Sequence, residues 1–149
     1  MTTTTAESAP SHPPQGCSRH LPTIARVLLG LMFFVFGLNG FLHFIPQPPK
    51  ESLPAALAAF SEAMMATGYF MKLVKGTEVL VGALLLLNRF VPLALTILAP
   101  VIVNIVAIHA FLAPAGVGMA IVILGLELYL AWAYRSAFRA MLAARVMPG

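Results

Sequence analysis

Four apolar stretches alternate with short polar breaks along this chain, at about Ile24 to Ile45, Tyr69 to Leu87, Val91 to Leu112 and Val117 to Tyr134. At 1.5 Å per helical residue, each reaches most or all of the way across roughly 30 Å of hydrocarbon. The breaks are sharp. Pro46-Gln-Pro-Pro49 ends the first stretch, Asn88-Arg89-Phe90 divides the second from the third, and Pro114-Ala-Gly116 divides the third from the fourth. Residues 50–68 are of another kind. Ser52 is placed to cap a helix with Pro54 in its first turn, and Ala55 to Ala66 holds helix formers of modest polarity. That segment is too short to span, which predicts an interfacial helix or a re-entrant lid. The flanks lose the pattern. Residues 1–20 are rich in Thr, Ser and Pro and predict a disordered tail, while 135–149 predict a basic amphipathic tail. The fold class expected is all-α: an integral membrane four-helix bundle over 21–134, with a short interfacial helix between spans 1 and 2.

Composition agrees with lipid as the solvent. Of 149 residues 60% are hydrophobic and only 9% charged, more apolar surface than one small water-soluble core hides. The net charge of +4 sets nine Lys and Arg against five Glu. Those basic residues flank the apolar stretches and form no patch interleaved with aromatics, so nucleic acid is not an expected partner. They act as topology signals instead. The side holding both termini and the 88–90 turn carries Arg19, Arg26, Arg89, Arg135, Arg139 and Arg145; the other side has Lys50, plus Lys72 and Lys75 if these snorkel outward. The expectation is a multi-pass protein of the inner (plasma) membrane with both termini cytoplasmic. The first apolar stretch is too long for a signal h-region, so no cleavable signal peptide is expected. The single cysteine, Cys17, permits neither an internal disulfide nor a CxxC pair. It reads as an idle tail thiol or a juxtamembrane acylation site.

The candidate chemistry lies in polar residues inside the apolar stretches. A charge at mid-membrane costs about 2.5–3.5 kcal/mol on insertion scales, against about 0.3–0.6 returned by each Leu or Val. Such residues tend to face a bundle interior and to mark a pathway, relay or ligand site. In the orientation above, Asn39 and His43 fall in the outer part of span 1, four residues apart on one face with Gly40. Lys72 lies at the outer edge of span 2, Lys75 below it and Glu78 near the middle. Span 3 brings Asn104 to a similar depth, with His109 nearer the surface. Depth alone therefore allows an outer-half polar chamber of Asn39, His43, Lys75, Glu78, Asn104 and His109, roofed by 50–68. Plainer roles compete. Lys75 and Glu78, three apart, form a self-neutralising ion pair. Lys72 snorkels, Asn39 and Asn104 serve as interhelical hydrogen-bond glue, and the histidines act as interfacial anchors. His109 also lies about 140° around its helix from Asn104. Glu127, in the inner half of span 4, must be neutral or paired with another span, and Arg26 is the partner to test first. Pro100 deprives the Thr96 carbonyl of its usual partner, and a kink there opens space beside Asn104. The glycines of the spans permit close helix approach.

No HExxH, CxxC or paired-His haem arrangement occurs, and no metal site is expected. Acidic residues in spans 2 and 4, rather than span 1, weigh against a small drug-proton antiporter.

Several strings carry a family resemblance. These are Arg26-Val-Leu-Leu-Gly30, Phe36-Gly37-Leu-Asn-Gly40-Phe-Leu-His43-Phe-Ile-Pro46, Lys75-Gly-Thr-Glu78-Val-Leu-Val-Gly82, Arg89-Phe-Val-Pro-Leu-Ala-Leu, and Ala99-Pro100 with Asn104 and His109. Over about 24–134 the chain resembles the DoxX family, and the G-x-E opening span 2 is the most specific piece. The resemblance implies a four-helix membrane bundle. It also implies kinship with membrane subunits associated with thiosulfate:quinone oxidoreduction and with oxidative-stress complexes. On that implication Glu78 is the functional carboxyl, supported by Arg26 and Asn104. A thiol relay is not implied, because Cys17 stands alone. The leading expectation is an accessory, non-catalytic subunit of a quinone-linked redox assembly. In it the chamber holds a quinone headgroup or a proton path, and the partners are lipid, membrane redox subunits or a second copy. Small-solute or proton-coupled transport, and a purely structural scaffold, are the alternatives.

Overall fold

The computed structural model describes residues 20–46 and 48–141. The expected disordered tail, with Cys17, lies outside them except for His20, as do residues 142–149. The described chain is all-α: α1 (Leu21–Leu42), α2 (Ala55–Ala66), α3 (Phe70–Leu86), α4 (Val91–Phe111), α5 (Val117–Ala133) and α6 (Arg135–Met141), with 3-10 turns at Lys50–Ser52 and Pro114–Gly116. Three segments are long and apolar enough to cross a membrane: Leu21–Leu42, Val91–Phe111 and Pro114–Ala133. The protein is an all-α membrane bundle.

Helices α1, α3, α4 and α5 pack in a ring, in which each touches the next and α5 returns to α1. Their shared core is Leu29, Val81, Leu85, Leu95, Leu98, Ile102 and Leu130, all fully buried. The outward faces stay greasy, as lipid contact demands, with Leu28, Leu31, Val103, Ile121 and Leu128 all exposed. One end of the ring holds the start of α1, the α3–α4 turn and α6; the opposite end holds α2 and the α4–α5 turn. These are called here the α6 end and the α2 end.

Helix ends explain where the hydrophobic pattern misleads. The first apolar stretch runs to Ile45, but α1 stops at Leu42 with His43 in the left-handed region (φ 51°). The His43 N–H still donates to the Asn39 carbonyl, and the Ile45 N–H then turns back to Asn39 Oδ1 at 2.7 Å. Phe44 and Ile45 are apolar without being helical. Ser52 does not cap α2 as expected. Its hydroxyl donates to the Pro49 carbonyl at 2.7 Å within the 3-10 turn, and Pro54 takes the N-cap position. Helix α4 runs unbroken through Pro100, whose ring sits on the exposed face.

Candidate functional site

The tightest seam of the bundle joins α1 to α3, and glycine builds it. A Cβ on Gly82 would stand 2.5 Å from the Phe34 nitrogen and 2.8 Å from the Gly30 carbonyl oxygen. One on Gly37 would meet the Val79 nitrogen at 2.8 Å and Glu78 Cβ at 3.0 Å. Backbone therefore lies on backbone, the arrangement that small residues permit between membrane helices. Further toward the α2 end, the stem of Lys75 occupies the space that a side chain on Gly40 would need.

That stem carries the ammonium to Glu78. Lys75 Nζ and Glu78 Oε2 lie 2.8 Å apart, one turn apart on α3, with the glutamate side chain 6% and the lysine side chain 24% exposed. Of the two expected roles for this couple, the ion pair is what the geometry contains. Lys72, by contrast, is exposed on α3, three residues before Lys75.

At the α6 end a buried cation serves a different purpose. Arg26 is 7% exposed, and its Nη1 donates to the Leu85 carbonyl and, at 3.4 Å, to that of Leu86. These carbonyls sit in the last turn of α3, where helical acceptors lack helical donors. Arg26 is thus a side-chain cap supplied by another helix. The pairing expected with Glu127 is absent, because Lys75–Glu78 is the one ion pair among the described residues. Glu127 is itself 5% exposed on the inward face of α5, and its Oε2 has no hydrogen-bond partner among the described residues.

The remaining candidates are dispersed. Asn39, 4% exposed, spends its side-chain oxygen on the turn that follows α1 rather than on a neighbouring helix. His43 is exposed in that turn. His109 Nδ1 bonds the Ile105 carbonyl at 2.8 Å, and its ring lies over Gly116, whose missing side chain leaves the space. Asn104 is exposed on α4. It lines a cleft of about 460 Å³ with Phe60, Ala63, Met64, Thr67 and Phe70, in which none of the other five candidates takes part. Thr67 Oγ1 is already committed there, donating to the Met64 carbonyl and accepting from the Phe70 N–H. The Asn104 amide makes no hydrogen bond to the described residues, so it is the free polar group in an otherwise apolar cleft. The sequence predicts 50–68 as a roof over the chamber without singling out the α2 residues of this lining. Their spacing, 60, 63, 64 and 67, is one helical face and was the available signal.

Among the described residues no group of three or more His, Cys, Asp or Glu is placed to hold a metal ion. No curated protein and no solved structure matches the chain. A protein-family comparison does match, to DoxX over residues 21–113, from the first residue of α1 to just past the end of α4. The resemblance read from the sequence ran on to about residue 134, so Glu127 lies beyond the matched part. Most of the chain is covered, including Arg26, the glycine seam and the Lys75–Glu78 pair: the protein belongs to the DoxX family.

Proposed function

We propose that this DoxX-family protein is an accessory membrane subunit of a quinone-linked redox or oxidative-stress assembly, and that the cleft between α2, α3 and α4 receives the quinone ring. One observation carries the reading: a cleft of about 460 Å³, flanked by Phe60, Met64 and Phe70, with the unengaged Asn104 amide as its free polar group. Small-molecule sites are commonly about 300–1,000 Å³, mostly apolar, with few polar groups to fix orientation. A quinone is flat and apolar with carbonyl acceptors, and an amide N–H₂ supplies a matching donor. Of the six residues first grouped by depth, Asn104 takes the cofactor-facing role here, while Glu78 keeps its lysine.

In this reading α3 is a fourth span. Its 17 residues reach about 26 Å, and Lys72 snorkels to make up the remainder. Both termini face the cytoplasm at the inner membrane, as the arginine excess at the α6 end favours. A photoreactive short-chain benzoquinone tests the site in reconstituted protein. Saturable labelling should map to the α2–α3 corner and α4, and Asn104→Leu should reduce it several-fold. Labelling that does not saturate, or ignores Asn104→Leu, removes the reading.

A second reading, proton-coupled transport, is favoured by Glu127, a buried carboxyl with an oxygen unpartnered among the described residues. Such a group is suited to holding and releasing a proton inside a bundle. It predicts proton flux in proteoliposomes that Glu127→Gln abolishes in folded protein. Absence of flux in the unmodified protein eliminates it.

A further inference from the structure

A second cavity, of about 500 Å³, lies at the α6 end, where α5 gives way to α6, and is lined by Ala133, Arg135, Ser136 and Arg139. Its arginines are unlike Arg26. Arg135 and Arg139 are exposed, four residues apart, and therefore on one face of α6. Arg135 is held in place: its Cζ stands 4.7 Å from the centre of the Trp132 ring, and Nη1 donates to the Trp132 carbonyl at 3.2 Å. That bond uses one of the five N–H donors of a guanidinium. Neither arginine has an ion-pair partner among the described residues, where the one pair is Lys75–Glu78.

Trp132 fixes the depth. It is 63% exposed on the last turn of a lipid-facing helix, and tryptophan prefers the headgroup level of a bilayer. A doubly cationic cavity at headgroup depth meets phosphate chemistry first. Guanidinium is matched to phosphate oxygens by its planar fork, and the Ser136 hydroxyl adds a further donor. We infer that this cavity binds the phosphate of an anionic phospholipid headgroup, held between Arg135 and Arg139 in the leaflet at the α6 end. A lipid is favoured over a soluble phosphate or an acidic peptide because the arginine platform is a lipid-facing tryptophan. The inference is independent of the quinone reading.

Trp132 is the only tryptophan of the chain, so its emission reports on this site. The full-length protein in detergent is titrated with short-chain phosphatidylglycerol, and lipid retention is measured separately by native mass spectrometry. Saturable binding is expected for phosphatidylglycerol but not for phosphatidylcholine. Arg139→Gln should weaken it roughly five-fold, and Arg135→Gln with Arg139→Gln roughly 25-fold, at about 1 kcal/mol per basic residue. Arg89→Gln, in the α3–α4 turn, should leave it unchanged. Arg139 is exposed, so its variant keeps the test decisive if Arg135→Gln fails to fold. Equal binding of phosphatidylcholine, or no loss in Arg139→Gln, overturns the proposal. Inorganic phosphate or a polyglutamate peptide binding where phosphatidylglycerol does not also overturns it, by assigning the site to a soluble anion.

Discussion

Arg26 of α1 donates to the carbonyl of Leu85 in the final turn of α3, joining residues 59 positions apart. The contact links a buried cation to a helix end that has few other donors. Around it, Leu87 N–H satisfies the Ala83 carbonyl and Arg89 N–H that of Leu84; Leu85 accepts from both Asn88 N–H, at 3.2 Å, and Arg26, which also reaches Leu86. Hydrogen bonds to charged groups contribute about 1.5–3 kcal/mol. Arg26→Met should therefore lower stability by about 2 kcal/mol in a denaturant titration of the detergent-solubilised protein, with Arg26→Lys recovering part. Equal stability of Arg26→Met and the parent would show that the cap contributes nothing.

The glycine seam predicts a sharp contrast between positions. Gly82→Ala drives a methyl into the α1 backbone and should cost about 1–3 kcal/mol. Gly76, Gly118 and Gly125 have nothing within 4 Å of where a Cβ would stand. Alanine there should be neutral, or stabilising by about 0.5–1 kcal/mol from helix propensity. Thermal unfolding of the four single variants in one detergent checks this. A tolerant Gly82 would remove close α1–α3 approach from the account.

Lys75 and Glu78 should behave as a coupled unit. Lys75→Met leaves a buried carboxylate without its cation, and Glu78→Leu leaves the ammonium without its anion. The double variant removes both charges, so a cycle should give a coupling of about 0.5–3 kcal/mol, reduced toward the lower half by the partial exposure of Lys75. Additive losses would mean that the 2.8 Å contact carries no energy.

Asn39→Leu removes the acceptor for the Ile45 N–H. The amide of Ile45 should then exchange with deuterium faster, with a stability loss of about 0.5–1.5 kcal/mol. Unchanged exchange at Ile45 would assign Asn39 to another role, interhelical glue included.

The helices were legible because apolar runs and proline breaks report burial and chain reversal directly. The ion pair was legible for a local reason: Lys75 and Glu78 are one turn apart on the same helix. What escaped depended on rotation and on backbone groups. Depth assigned Asn104 and Glu78 to one level, but the buried face of α4 is Ala94, Leu95, Leu98 and Ile102, and Asn104 lies two residues beyond that last inward position. Arg26 was matched with Glu127 because side-chain charge is visible in a sequence. The carbonyls it serves belong to leucines and are not. Ser52 carried a sound capping signal, yet the Pro49 carbonyl competed for its hydroxyl.

The Arg26 cap also sets an order for biogenesis. Its acceptors enter the growing chain 59 and 60 residues after it, a wait of roughly 3–12 s at about 5–20 residues per second. Through that interval α1 must be inserted with its guanidinium unquenched, which the placement of Arg26 in the second turn of α1 makes tolerable by snorkelling. Completion of α3 then retires the charge from the interface. The hydrogen bond that ties α1 to α3 is thus one that a nascent chain cannot make until Leu85 has been added.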